Sequence, residues 1–280
     1  MSIEVRWAPV VATDGHRWEA LVASGERVDR CVVWLPALGV PARSYEPFAR
    51  ELASRGVAVV VHEWRGFGSS SLRASRSTDW AYRELLTVDV PATLDAARTL
   101  FDRVQIVGGH SLGGQLASCT QALTDNAADE LWLVASGAPY WRAFPRPLRF
   151  GLPVAYRLLH ALAQLFGALP GRRIGFGGNE ARGVIRDWSR TALTGRYAAP
   201  GVGDLEPELA RVTSPLYAVL FESDWLAPRS SLDYLIAKMR PSSVSVTHLD
   251  ATALGADDDH FAWMKAPATV VGALVDARRR

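Results

Sequence analysis

The chain has 280 residues, 49% of them hydrophobic, and is nearly neutral, with 31 Lys and Arg against 29 Asp and Glu. That balance gives no electrostatic reason to expect a nucleic-acid or membrane-surface partner. The opening MSIEVRWAPVVATDG lacks a basic region followed by an apolar one, and no uninterrupted apolar stretch reaches the roughly 20 residues that span a bilayer, so neither a secretory leader nor a membrane span is expected.

Ile3–Val11 and Arg17–Val22 read as a hairpin turned at Asp14-Gly15. CVVWLP (31–36) is a short apolar strand, and RSYEPFARELASRG (43–56) has helical spacing closed by a glycine. VAVVVHEW (57–64) is a strand again, followed by a helix over 82–100 that Pro91 kinks or interrupts. VQIVGG (104–109) is a strand, Leu112–Leu123 a helix, and LWLVASG (131–137) a strand. The order resumes with a strand in PLYAVLFES (215–223), a helix near Ser230–Met239, a strand in SVSVTHL (243–249) and a terminal helix from about His260. The basic end ARRR (277–280) reads as a solvated tail. Cys31 and Cys119 fall in a strand and a helix, lack metal-ligand spacing, and are expected to be buried, reduced thiols of a cytoplasmic protein.

Near-continuous apolar strands alternating with helices predict an α/β fold, doubly wound around a mostly parallel sheet with helices on both faces. The alternation stops between Tyr140 and about Arg211, where the chain is rich in Pro, Gly, Arg and aromatics and has helical pieces but no convincing strand. This divides the chain into a core of 1–138 and 212–280 and an insertion of 139–211, too long for a loop and placed to form a helical lid over the strand ends. Within it, GLPVAYRLLHALAQLFGAL (151–169) is broken by Arg157, His160 and Gln164, which share one helical face and predict a mostly buried helix with one polar stripe.

GGHSLGGQ (108–115) sets four glycines around one serine between a strand and a helix. A residue exposed at so tight a turn is strained, and its neighbours two before and two after must be small or strand and helix collide. Gly109 and Gly113 fill those places around Ser111, completing the G-x-S-x-G nucleophile elbow. Ser111 then opens a helix, where unpaired N–H groups favour developing negative charge, and the Leu112 N–H can face the oxygen of an attacked carbonyl.

A serine hydroxyl needs a base, and the base needs a group that holds its tautomer. With this elbow the chain order is Ser, acid, His. His260, in the loop ADDDHFAW, is the histidine with the right order and place; His16, His62 and His110 precede the serine, His160 lies in the insertion and His248 within a strand. Asp224, directly after a strand in ESDWLAP, is the expected acid, with Glu222 its nearest rival, placed earlier and facing into the sheet. A second oxyanion donor is expected after CVVWLP, from the Leu38 N–H with Ala37 as the alternative.

LPALGVPARSYEPFARELASRG, HEWRGFGSS, GGHSLGGQ, FESDWLAP and DDDHFAW together resemble the α/β-hydrolase superfamily, in particular a bacterial branch of serine hydrolases, over nearly the whole chain. The sequence departs from many relatives in having PALGV for a His-Gly turn and Glu63 where Asp is common; Arg65 and Gly66 read as structural turn residues. The resemblance implies an eight-stranded sheet, a lid between the sixth and seventh strands, and no cofactor. The expected function is hydrolysis of a carboxylic ester or thioester on a small-molecule acyl substrate. An acyltransferase with the same triad, or a non-catalytic ligand-binding protein, are the alternatives. The insertion's aromatics Trp141, Phe144, Phe150, Tyr156, Phe166, Phe176, Trp188 and Tyr197 supply its own core or an apolar acyl cleft. Arg142, Arg146, Arg149, Arg172 and Arg173 are expected on its solvated surface, or against a charged substrate group.

Overall fold

A computed structural model describes residues 2–124 and 127–277; of the basic end, residues 278–280 lie outside the described residues. The apolar runs become strands β1 (Ile3–Val11), β2 (Arg17–Gly25), β3 (Arg30–Leu35), β4 (Val57–Val61), β5 (Ile106–His110), β6 (Glu130–Val134), β7 (Leu216–Phe221) and β8 (Val244–Leu249). They form one sheet in the order β1-β2-β4-β3-β5-β6-β7-β8. β1 and β2 pair antiparallel, β2 joins β4 antiparallel, and every other pairing is parallel. β4, β5, β6 and β7 are buried along their whole length, because helices cover both faces.

Two apolar layers result. Helix α1 (Glu46–Ser54) packs with the terminal helix on one face, through Phe48, Leu52, Val270 and Val271. Helices α2 (Val90–Phe101) and α3 (Leu112–Leu123) pack on the other, through Val90, Leu94 and Leu116. The interruption expected at Pro91 is a wide helical turn over Leu85–Asp89, closed by the Val90 N–H on Leu85 O, through which the helical backbone runs on into α2 with Pro91 near its start. The helix expected from His260 starts later: a short helical turn at Ala262–Lys265 comes first, and Pro267 caps the helix proper, Ala268–Asp276.

Between β6 and β7 lie α4 (Leu148–Phe166) and α5 (Arg182–Thr194), with shorter helical turns. Two small antiparallel ribbons also occur there, Ala168–Pro170 with Asn179–Ala181 and Ala198–Ala199 with Gly203–Asp204. No strand was legible there, because two or three residues are too few to show an alternating pattern. The expectation for α4 is corrected as well. Only Tyr156 and Ala163 are buried, and the face beside the Arg157 stripe is apolar and open to solvent. Among the described residues, no helix is long and apolar enough to cross a membrane.

Cys31 and Cys119 are free and buried. Two buried carboxyls are less usual. Glu63 accepts from the Ala42 N–H at 3.1 Å and Glu180 from the Gly178 N–H at 2.8 Å. Desolvation outweighs these bonds and pushes both up to about 7, from an ordinary 4.5. In the unfolded chain each ionises near 4.5, so their contribution to stability is complete below that pH and is lost as pH rises through about 7. Glu63→Gln and Glu180→Gln are therefore expected to gain on wild type, by about 1–3 kcal/mol each, as the pH of a urea titration moves from acid to slightly alkaline. A constant difference across that range would refute this.

Candidate active site

The β5–α3 turn carries the geometry that its glycines predict. Ser111 has φ 55° and ψ −119°, a strained left-handed backbone for a residue with a side chain. A Cβ on Gly109 would lie 2.3 Å from the Gly113 carbonyl carbon, and one on Gly113 1.9 Å from the Leu35 oxygen. The backbone of Ser111 is pinned: its N–H donates to Val134 O at 3.1 Å, and its carbonyl accepts from Gly114 N, Gln115 N and Ser136 Oγ. Its hydroxyl makes no helix cap.

Asp224 follows β7 in a turn whose neighbours Glu222, Ser223 and Trp225 are exposed, but it is itself buried. Its Oδ1 accepts from the Leu226 and Ala227 N–H groups at 2.9 and 3.2 Å, which leaves Oδ2 to face His260 Nδ1 at 2.7 Å. A carboxylate there holds the ring proton on Nδ1, so Nε2 is the free base position. The two loops are tied by the Ser223 N–H, which donates to Asp258 Oδ2 at 3.2 Å. Glu222, expected to face into the sheet, is exposed instead, because the chain leaves the sheet after Phe221. His160 and His248 are turned to the surface, where they meet Gln164 and Arg229.

Ser111 and His260 line one cavity of about 220 Å³, together with Leu38 and Leu112. Among the described residues no hydrogen bond joins the Ser111 hydroxyl to the imidazole; such contacts are often long until substrate is bound. The Ala37 N–H is committed to Tyr45 Oη at 2.8 Å, whereas the Leu38 N–H has no acceptor among the described residues. Apart from Gln115, the rest of the wall is largely apolar and comes largely from the insertion, including Phe144, Leu152, Tyr156, Leu159, Phe176 and Trp188. Trp141 and Tyr197 pack in the core, and Phe150 and Phe166 are exposed. None of the insertion's arginines lines the cavity.

The sequence did not reveal what lies behind the histidine. His110, immediately before the serine, is fully buried with its ring 4.9 Å from that of His260. Desolvation first, and the neighbouring His260 second, hold it well below the ordinary histidine range, so it stays neutral. Its Nδ1 meets Tyr45 Oη at 2.8 Å. One phenol therefore joins the turn after β3 to the residue preceding Ser111. The signal was only a tyrosine at helical spacing, indistinguishable from core. Tyr45→Phe orphans the Ala37 N–H and His110 Nδ1 and is expected to cost about 1–3 kcal/mol in chemical denaturation. An unchanged midpoint would show that the hydroxyl has no such role.

A family model described as the alpha/beta hydrolase family matches residues 32–273. The chain belongs to that family. Among solved structures it is similar to a hydrolase from Pseudomonas aeruginosa (TM-score 0.65, 19% identity, 97% of each chain covered). It is similar too to a 2-hydroxy-6-oxo-6-phenylhexa-2,4-dienoate hydrolase from Rhodococcus (0.65, 18%, 100% of each). The esterase domain of a Rhodothermus marinus protein compares at TM-score 0.63 and 15% identity, covering 99% of this chain and 98% of that one. At these identities the likeness is one of fold. No curated protein matches the sequence.

Proposed function

We propose that the protein is a serine hydrolase that cleaves a carboxylic ester or thioester through an acyl-enzyme on Ser111. The observation that carries this reading is the single cavity that holds Ser111, His260 and the turns of Leu38 and Leu112, with Asp224 bonded behind the imidazole. In the first half-reaction Ser111 Oγ attacks the carbonyl carbon while His260 Nε2 takes its proton. The oxyanion is held by the Leu112 and Leu38 N–H groups. Collapse expels the alcohol or thiol, which leaves with the proton from Nε2. Water, activated by the same nitrogen, then attacks the acyl-enzyme, releases the acid and restores the serine. Asp224 keeps the proton on Nδ1 throughout.

In this reading residues 139–211 act as the lid of a core made of 1–138 and 212–280. The wall they supply is apolar and holds no arginine, which suits an uncharged acyl chain. A fluorophosphonate probe tests the proposal: it is expected to label wild-type protein and leave Ser111→Ala unlabelled. Equal labelling of both would refute it.

A further inference from the structure

We propose that the insertion docks the protein on anionic phospholipid surfaces through the solvent face of α4. Two independent observations carry this. The first is an unpartnered apolar stripe. Phe150, Val154, Leu158 and Leu165 are 60, 67, 57 and 63% exposed, and their spacing sets them on one side of the helix. The opposite side supplies Leu152, Tyr156 and Leu159 to the cavity above Ser111. A helix apolar on two sides, with one of them in water, is abnormal for a surface helix and marks an interaction face.

The second observation is charge. From Leu131 to Asn179 the sequence holds six arginines, Arg142, Arg146, Arg149, Arg157, Arg172 and Arg173, and no aspartate or glutamate. The near-neutral total conceals this, because the remainder of the chain is net acidic. Among the described residues none of the six forms a salt bridge, although most other arginines of the chain do. Arg146 and Arg149 lie over the Phe150 ring, 6.0 and 5.0 Å from its centroid, so cationic heads flank the start of the stripe. Arg157 stands beside it farther along.

An apolar ridge bordered by unpaired arginines matches the boundary of a bilayer, where side chains such as Phe and Leu enter the acyl region and guanidinium groups meet phosphates. It does not match a second copy of the same face. Two-fold pairing would bring the arginines of one copy against those of the other with no acid between them.

Vesicle flotation tests this without reference to catalysis. Wild-type protein is expected to float with vesicles of equal phosphatidylglycerol and phosphatidylcholine and to remain behind with phosphatidylcholine alone. Salt at about 0.5 M, where the Debye length falls to roughly 4 Å, is expected to release it. The double variant Phe150→Ser, Leu158→Ser and the double variant Arg146→Gln, Arg157→Gln are each expected to lose on the order of tenfold in vesicle affinity. Both should keep wild-type turnover of a water-soluble ester, since none of the four residues lines the cavity. Failure to float, equal binding to both vesicle types, or full retention by the serine variant would overturn the proposal. So would a dimer in sedimentation analysis that the serine variant dissociates, with no vesicle binding; that result would assign the face to a second copy.

Discussion

Replacing Ser111 by alanine is expected to lower turnover of a soluble ester by roughly 10³- to 10⁶-fold while leaving the melting temperature unchanged. The second half of that expectation rests on what the hydroxyl does in the resting protein. It caps nothing, and the bonds that pin residue 111 come from its backbone. Alanine bears the same positive φ at the same strain. The loss is therefore chemical, measured as kcat with initial rates on a short-chain ester. His260→Ala is expected to fall as far, and the Ser111, His260 double variant no further, because nucleophile and base act as one unit. Asp224→Asn removes the group that fixes the tautomer and is expected to lose about 10⁴-fold. A Ser111→Ala enzyme within tenfold of wild type would exclude the acyl-enzyme, whatever the fold.

Much of this site was legible because its requirements are local. A Cβ on Gly109 would lie 2.3 Å from the Gly113 carbonyl carbon, a contact that follows from joining a strand to a helix in one turn, while Gly113 must also clear Leu35 O at the end of β3, and both needs leave the same short signature. Asp224 and His260 were legible because loops at strand ends are where a sheet presents polar groups. The chain-distant contacts were not. Nothing in the sequence brings Tyr45 to His110, 65 positions away, and a tyrosine in a helix reads as core until its hydroxyl is located. For α4 the difficulty was different. Helical periodicity shows that a face is apolar and is silent on what covers it. The stripe of Arg157, His160 and Gln164 was real, but the apolar residues beside it have water as their neighbour. Net charge was silent for a similar reason: a sum over the chain carries no position, so the acid-free run from Leu131 to Asn179 does not show in it.

The Arg65 segment yields the second large effect, and it separates two sets of residues with the same outline. His16 Nδ1 lies 3.0 Å from Asp89 and His16 Nε2 2.9 Å from Ser70 Oγ, so these three repeat the connectivity of a catalytic serine. Their surroundings differ. Ser70, His16 and Asp89 are 4, 3 and 0% exposed, and none reaches the cavity at Ser111. The Ser70 oxygen already accepts from Gly66 N and Leu72 N at 2.9 and 3.2 Å, so no lone pair remains for attack. Asp89 is held by a two-pronged bond from Arg65, at 2.8 and 2.6 Å, and Arg65 also reaches Asp14 in the β1–β2 turn. Burial alone would raise the Asp89 carboxyl; the bonds from Arg65 and His16 overcome it and hold it below the usual carboxylate range. The cluster ties the first hairpin to the segment after β4. Asp89→Ala leaves the buried Arg65 guanidinium with Asp14 alone and buried His16 Nδ1 with no partner, and is expected to cost about 3–5 kcal/mol in chemical denaturation, a large part of the roughly 5–15 kcal/mol that holds a typical domain. Turnover per folded molecule should stay at the wild-type level, and the fluorophosphonate should still label Ser111. Loss of labelling in a folded Asp89→Ala or Ser70→Ala protein would instead make this buried trio part of the chemistry.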